Sequence, residues 1–142
     1  MLVILDTNIV SLLQRRNQPA TDRILDKLRL VPTDERWTTV VTFQEQARGW
    51  LAAIHRARSD DQILSAYRSL SEMLDKFRTL NVFPFDAAAL TTFRRLKSQR
   101  LGVGTHDLRI ASIALARRAK VITQNVRDFG RVPGLLVEDW TA

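Results

Sequence analysis

The chain has 142 residues, the length of one typical domain, and its 45% hydrophobic and 26% charged residues are ordinary for a folded globular protein. It contains no cysteine, which excludes disulfide scaffolds, thiolate metal sites and cysteine nucleophiles. The formal net charge is +7, the start of the chain lacks a basic leader, and its apolar runs are too short to span a bilayer. We therefore expect one domain over residues 1–142, located in the cytoplasm and without a membrane partner.

Apolar runs alternate with helical segments at the start of the chain. Residues 1–5 form an apolar run that ends at an acid, which predicts a buried strand. A helix is expected over 7–13, with a break at 17–19. The proline at the end of that break is well placed to begin a second helix, over 19–28. Residues 37–41 are rich in β-branched side chains, which predicts the second strand.

Two capping boxes mark helix starts in the middle of the chain. Each has a Ser or Thr followed three residues later by Glu or Gln, a pattern that closes the first turn of a helix. They predict helices over 42–57 and from 59 to about 80. A short strand is expected over 82–85, and Asp86 is the expected cap of a helix that ends near residue 100.

The C-terminal part begins with a glycine-rich turn over 101–104. Thr105 or His106 is expected to cap a helix over about 107–119, and short strands are expected over 121–123 and 135–138. Strands and helices thus alternate, which favours a three-layer α/β/α sandwich around a short, mainly parallel sheet. In such sheets ligands bind beyond the carboxyl ends of the strands.

Several acids stand at helix starts or strand ends, and each has an ordinary structural explanation. Asp6 follows the first strand and can cap the next helix. Glu45 occupies the last position of a capping box, where its carboxylate often binds only the backbone. Asp107 lies in a first helical turn, where the helix dipole stabilises it by about 0.3–1 kcal/mol. Asp128 fits a turn or a cap, and Asn125 fits a backbone position of positive φ.

Taken together, these acids predict a metal site. Carboxylates gathered at one sheet edge repel each other unless a cation lies between them, and such oxygen ligands suit Mg²⁺ or Mn²⁺. A site of this kind can activate water and stabilise the leaving oxygen of a phosphodiester. Residues 94–131 contain ten Lys or Arg and two acids, a net charge of +8, so the rest of the chain is at −1. This asymmetry favours a polyanionic partner, although solvated helix faces produce the same pattern.

Motifs along the whole chain resemble those of the PIN-domain nucleases. The first is Leu5-Asp6-Thr7-Asn8, the second runs over 39–45 with Gly49 beyond it, and the third covers 107–111. The C-terminal segment, 121–140, is similar to the tail of the VapC-type toxins of toxin–antitoxin modules. Each motif is short, but the order and spacing make the set specific.

The resemblance implies a metal-dependent endoribonuclease that is inhibited by a small antitoxin and forms a homodimer. It assigns the metal, Mg²⁺ or Mn²⁺, to Asp6, Glu45 and Asp107. Many members have Asp where this chain has Asn125, so Asp128 is a second candidate for the fourth acid position and is counted among the catalytic residues.

Further roles follow as hypotheses from the same resemblance. Glu45 either completes the metal shell or takes a proton from the attacking water. The residues expected to orient water or phosphate by hydrogen bonds are Thr7, Asn8 and Asn125.

Other functions are open on sequence grounds. The same fold serves RNA-processing nucleases that have no antitoxin, or a scaffold that binds RNA without cleaving it, although the intact acids speak against the scaffold. A phosphoryl-transfer enzyme with Asp6 as nucleophile would want a second Asp where the chain has Asn8. A DNA-binding regulator is the least favoured, because the sequence has no helix-turn-helix or basic-zipper pattern.

Overall fold

The computed structural model of the protein describes residues 1–15 and 18–142. Its centre is a five-stranded sheet in the order β3-β2-β1-β4-β5, and every neighbouring pair of strands is parallel. The strands are β1 (Val3–Leu5), β2 (Arg36–Thr39), β3 (Asn81–Phe83), β4 (Lys120–Ile122) and β5 (Val137–Glu138).

Seven α-helices and a 3₁₀ turn, Thr33–Glu35, connect these strands within the described residues. None of these helices combines the length and the apolar character that crossing a membrane requires. The helices are α1 (Thr7–Gln14), α2 (Pro19–Leu28), α3 (Val40–Arg56), α4 (Asp60–Phe77), α5 (Ala87–Ser98), α6 (Thr105–Arg117) and α7 (Val126–Phe129).

Alternate side chains of β1 enter two separate hydrophobic cores, one on each face of the sheet. Val3 and Leu5 pack with α1 and α2, whereas Ile4 packs with α5 and α6 on the other face. All three are buried. Because strand side chains alternate between faces, an apolar run this short can serve both cores only if helices cover both sides. The three-layer α/β/α prediction is confirmed.

The start of α3 differs from the prediction. The helix begins at Val40, and its N-cap is Thr39, whose hydroxyl accepts a hydrogen bond from the Thr42 amide at 3.2 Å. Thr39 keeps the extended backbone of β2, so the strand passes directly into the helix. The predicted capping box at Thr42 was therefore wrong, and so was the extension of the second strand to Val41.

The start of α6 also differs, because Gly104 is its N-cap. The Gly104 carbonyl accepts from the Leu108 amide at 2.8 Å, which starts the helix at Thr105. The predicted caps, Thr105 and His106, are thus already helical. Asn125 has φ −91°, so the expected positive φ was wrong, and Asp128 lies within α7 rather than capping a helix.

The other helix starts agree with the sequence. Ser59 caps α4 by accepting from the Gln62 amide, and Asp86 caps α5 by accepting from the Ala89 amide. Helix α2 begins at Pro19, as predicted. The predicted break at 17–19 is described only in part, because its first residue, Asn17, lies outside the described residues.

Candidate active site

The site forms where β1 and β4 end side by side. Asp6 follows β1 and Thr123 follows β4, and the Thr123 hydroxyl donates to Asp6 Oδ2 at 2.8 Å. The Thr7 amide donates to Asp6 Oδ1 at 2.7 Å, so Asp6 also caps α1. Parallel neighbours end at the same edge of the sheet, and this brings together two residues that are 117 positions apart.

Asp6 is a buried carboxyl without a neighbouring cation. Its residue is only 4% exposed, and it forms no ion pair with any residue in the described part of the chain. Burial raises the pKa of Asp6 to about 6; the hydrogen bonds from Thr123 and Thr7 oppose this rise, and the charges of Asp107 and Glu45 add to it. Such a carboxylate is costly to ionise unless a cation balances its charge.

Glu45 projects from the second turn of α3 toward the start of α1. Its Oε1 accepts from the Thr7 hydroxyl at 2.8 Å, and that hydroxyl lies 3.1 Å from the Thr42 hydroxyl. Since α3 begins at Val40, Glu45 lies beyond the first turn, and the capping explanation for this residue falls away. The hydrogen bond of its side chain joins it to Thr7, the residue after Asp6, instead.

Asp107 and Asp128 share one amide donor. Asn125 Nδ2 lies 3.2 Å from Asp107 Oδ2 and 3.1 Å from Asp128 Oδ2, and donates to both. Burial, and next the charge of Glu45, raise the pKa of Asp107 above its ordinary value. Arg131 lies 3.7 Å from Asp128, which gives that acid a partial counter-charge.

The residues named from sequence thus lie around one edge of the sheet, each held by short polar contacts. Asn8 joins them through its Oδ1, which accepts from the Gln124 amide at 3.4 Å.

The fit of a divalent cation follows from this donor set. The carboxylates of Asp6, Glu45 and Asp107 lie close enough for the charge of one to raise the pKa of another. They supply hard oxygen ligands, which are the ligands that Mg²⁺ or Mn²⁺ prefers. Over residues 1–15 and 18–142, no three His, Asp or Glu side chains converge as a ready-made ligand set.

Sequence reasoning missed two features of the site. Thr123 binds Asp6 directly, and its signal was a polar residue immediately after an apolar strand, the same signal that drew attention to Asp6. Next to Asp107, His106 Nδ1 is buried and has no hydrogen-bond partner among the described residues. The sequence predicted His106 as a candidate helix cap, which was wrong.

A cavity of about 620 Å³ opens beside the acids, between α1, α3 and α4. Thr7 and Glu45 line it, as do Gly49 and Trp50 farther along α3. Its cationic lining consists of Arg15, Arg56 and Lys76. Glu45 therefore connects the acid site with this cavity.

Comparisons with known proteins all point to one family. A model described as PIN domain matches residues 3–135. Ribonuclease VapC1 of Haemophilus influenzae is 29% identical, with 99% of both chains covered. The tRNA(fMet)-specific endonuclease VapC of Salmonella typhimurium is 32% identical over 56% of this chain and 64% of its own length.

Solved structures have the same fold. The DNA-bound VapBC complex of Salmonella typhimurium contains a chain that matches with a TM-score of 0.79 and 27% identity, over 99% of both chains. VapBC-1 of nontypeable Haemophilus influenzae matches with a TM-score of 0.78 and 24% identity over both whole chains. These likenesses extend from the sheet to the C-terminal strand.

Proposed function

The chain belongs to the PIN domain family, and from this membership and the geometry of its acids we propose that it is a metal-dependent endoribonuclease, the toxin of a VapBC-type toxin–antitoxin pair. The relatives that support this activity are named as ribonucleases or as a tRNA endonuclease. The observation that carries the proposal is the buried carboxyl of Asp6, which hydrogen bonds join to the other two acids. Its neighbour Thr7 donates to Glu45, and its partner Thr123 accepts from the backbone amide of Asn125, whose side chain donates to Asp107.

In the proposed mechanism, Asp6, Glu45 and Asp107 hold the metal. Bound Mg²⁺ or Mn²⁺ supplies Lewis-acid chemistry, which polarises the scissile phosphate and favours ionisation of water. Asp6 is fixed for this role by Thr7 and Thr123, and Asp107 by Asn125.

Glu45 is the proposed proton acceptor for the attacking water. Its Oε1 is occupied by the Thr7 hydroxyl, which leaves Oε2 for a second contact. Thr7 therefore orients Glu45. Asn8 is proposed to orient water or phosphate by donating from Nδ2, and Asn125 to orient water by accepting at Oδ1, because its Nδ2 already donates to Asp107 and Asp128. Asp128 is the proposed fourth acid, tied to Asp107 through the shared Asn125 amide.

The proposed partner is an antitoxin that inhibits the enzyme by filling the cavity between α1, α3 and α4. This rests on a matching structure that is a VapBC complex, and on Thr7 and Glu45, which line the cavity. A protein segment in this cavity would block access to Glu45.

We also propose that the protein forms a homodimer, which light scattering of the purified protein tests. An RNA-processing nuclease without an antitoxin is the alternative, and the absence of a small partner gene immediately upstream would favour it.

The first test is cleavage of structured and unstructured RNA by purified protein with Mg²⁺ or Mn²⁺. We expect cleavage that stops when EDTA is added and that is lost in the Asp6→Asn variant, which removes a ligand charge while keeping the side-chain shape. Asp86→Asn is the matched control, because Asp86 also caps a helix just after a strand but lies outside the site. That variant should cleave at the wild-type rate.

Each result has a clear meaning. Cleavage by folded Asp6→Asn at the wild-type rate would contradict the assigned site. RNA binding by the wild type without cleavage, in protein that binds metal, would favour the non-cleaving scaffold.

A further inference from the structure

A second cavity, of about 450 Å³, lies between the start of α3 and helices α5 and α6. We call it the Phe93 cavity. Its apolar lining includes Val40, Phe85 and Leu90, and its cationic lining consists of Arg94, Lys97 and Arg109. It therefore combines an apolar surface with three positive charges.

The three cations of the Phe93 cavity surround one aromatic ring. Their charged groups lie 5.8, 5.7 and 5.4 Å from the centroid of the Phe93 ring, for Arg94, Lys97 and Arg109 respectively. The ring itself is buried. Its π face attracts each cation, but the three charges still repel one another. Within residues 1–15 and 18–142, none of the three forms an ion pair with an acid.

The Phe93 cavity lies at the same edge of the sheet as the proposed catalytic acids. Val40, which follows β2 directly, and Phe85, which comes two residues after β3, both line it. The two helices that carry the acids also form part of the cavity wall. A strand of polyanion that extends from the acids along this edge of the sheet would meet these unpaired cations.

We propose that the Phe93 cavity is a subsite for the RNA strand next to the scissile phosphate, an inference that rests on the proposed ribonuclease function. Arg94, Lys97 and Arg109 bind backbone phosphates, and the apolar lining receives a base. A second copy of this chain is a poorer occupant, because a two-fold contact through this surface would bring the same three cations against each other.

The test compares the Arg94→Gln and Lys97→Gln variants with Arg95→Gln. Arg95 is the neighbour of Arg94 on α5 and is exposed, but it does not line the cavity, so its variant removes the same charge from the same helix. Cleavage kinetics are measured on an unstructured RNA oligonucleotide at several salt concentrations. Oligomeric state is measured on the same samples by light scattering.

We expect each cavity variant to raise KM on the order of fivefold at 0.1 M salt. The slope of log KM against log salt concentration should fall by about 0.7, because each phosphate contact with a single strand contributes about that much through counterion release. The value of kcat should stay at the wild-type level, because the acids are untouched. For Arg95→Gln, the change in log KM should be less than half of the change that either cavity variant causes.

Contrary outcomes separate the two proposals. If the wild type cleaves RNA and the cavity variants match Arg95→Gln, the subsite is refuted and the nuclease stands. If the wild type binds the oligonucleotide with an affinity that needs Arg94 and Lys97 but never cleaves it, the nuclease is refuted and the subsite stands. If the variants dissociate an oligomer and KM follows that change, the cavity contacts a second copy and the subsite is refuted.

Discussion

Asp6 is a residue whose function opposes stability. Its carboxyl is buried, and no cation among the described residues balances its charge. Its pKa rises from 3.8 to about 6 on folding, so ionisation at neutral pH costs the folded state free energy. The arrangement is typical of a site built to receive a charge from outside the chain.

The first prediction is that Asp6→Asn stabilises the metal-free protein while removing cleavage. The shift of about two pH units corresponds to up to about 3 kcal/mol at pH 7.5. An Asn side chain still accepts from the Thr7 amide and donates to the Thr123 hydroxyl, so the cap survives. Chemical denaturation of wild type and variant in EDTA measures the gain.

The pH dependence fixes the sign of this effect. Below pH 3.8 the carboxyl is protonated in both the folded and the unfolded states, so it causes no penalty. Between 3.8 and about 6 the unfolded state ionises first, and the stability of the wild type falls relative to that of the variant. Above about pH 6 the difference in the free energy of unfolding between wild type and variant no longer changes with pH. A variant advantage that is equal at pH 3.5 and pH 7.5 would show that Asp6 ionisation is not its cause.

At the scale of elements, the first half of α3 determines where Glu45 lies. Thr39 is fully buried and caps this helix through the Thr42 amide, and Thr42 in turn contacts Thr7. The cap therefore stabilises the turn that leads into Glu45. The same bond at the start of α4, from the Gln62 amide to Ser59, is exposed and far from the acids in the chain.

The second prediction uses these two caps as a pair. Thr39→Ala and Ser59→Ala should each lower the free energy of unfolding by about 1 kcal/mol, within the usual range for a lost cap. Only Thr39→Ala should also lower the rate of RNA cleavage, several-fold, because its frayed turn no longer holds Glu45 in place. Thr39→Ser should restore both. Equal cleavage rates in the two alanine variants would mean that the cap contributes to stability alone.

The sequence predicted the order of elements well and two helix starts badly. Strand alternation and the Ser59 and Asp86 caps depend on local patterns, which a sequence displays directly. The start of α3 was misplaced because Thr39 and Thr42 are both competent caps, and the pairing of Thr39 with Phe83 in the sheet decides between them. The contact of Asp6 with Thr123 depends on strand order, which no local pattern encodes.

At the scale of the whole molecule, two cavities lie on different sides of the first half of α3, and Glu45 lines one of them. The cavity beside α1 and α4 is the proposed place of the antitoxin, and the Phe93 cavity is the proposed place of the RNA strand. The cations of the second lie within the segment of net charge +8. Inhibitor and substrate would then meet only at the acids, so each cavity can be altered without the other.

The third prediction tests this separation at Gly49, which lines the first cavity from the interior of α3. A Cβ built there meets no atom within 4 Å, so Gly49→Ala should raise the free energy of unfolding by roughly 0.5–1 kcal/mol without other effects. Gly49→Phe should instead fill part of the cavity. We expect it to cleave RNA like the wild type but to escape inhibition by the proposed antitoxin.

Inhibition and cleavage assays on the two Gly49 variants give the answer. Gly49→Ala controls for the loss of glycine, since it removes backbone freedom and leaves the cavity open. Loss of cleavage by stable Gly49→Phe would mean that the RNA strand itself occupies this cavity. Full inhibition of Gly49→Phe would place the inhibitor elsewhere. Escape from inhibition with intact cleavage requires that the two ligands occupy different sides of α3, which is what the separate positions of the two cavities predict.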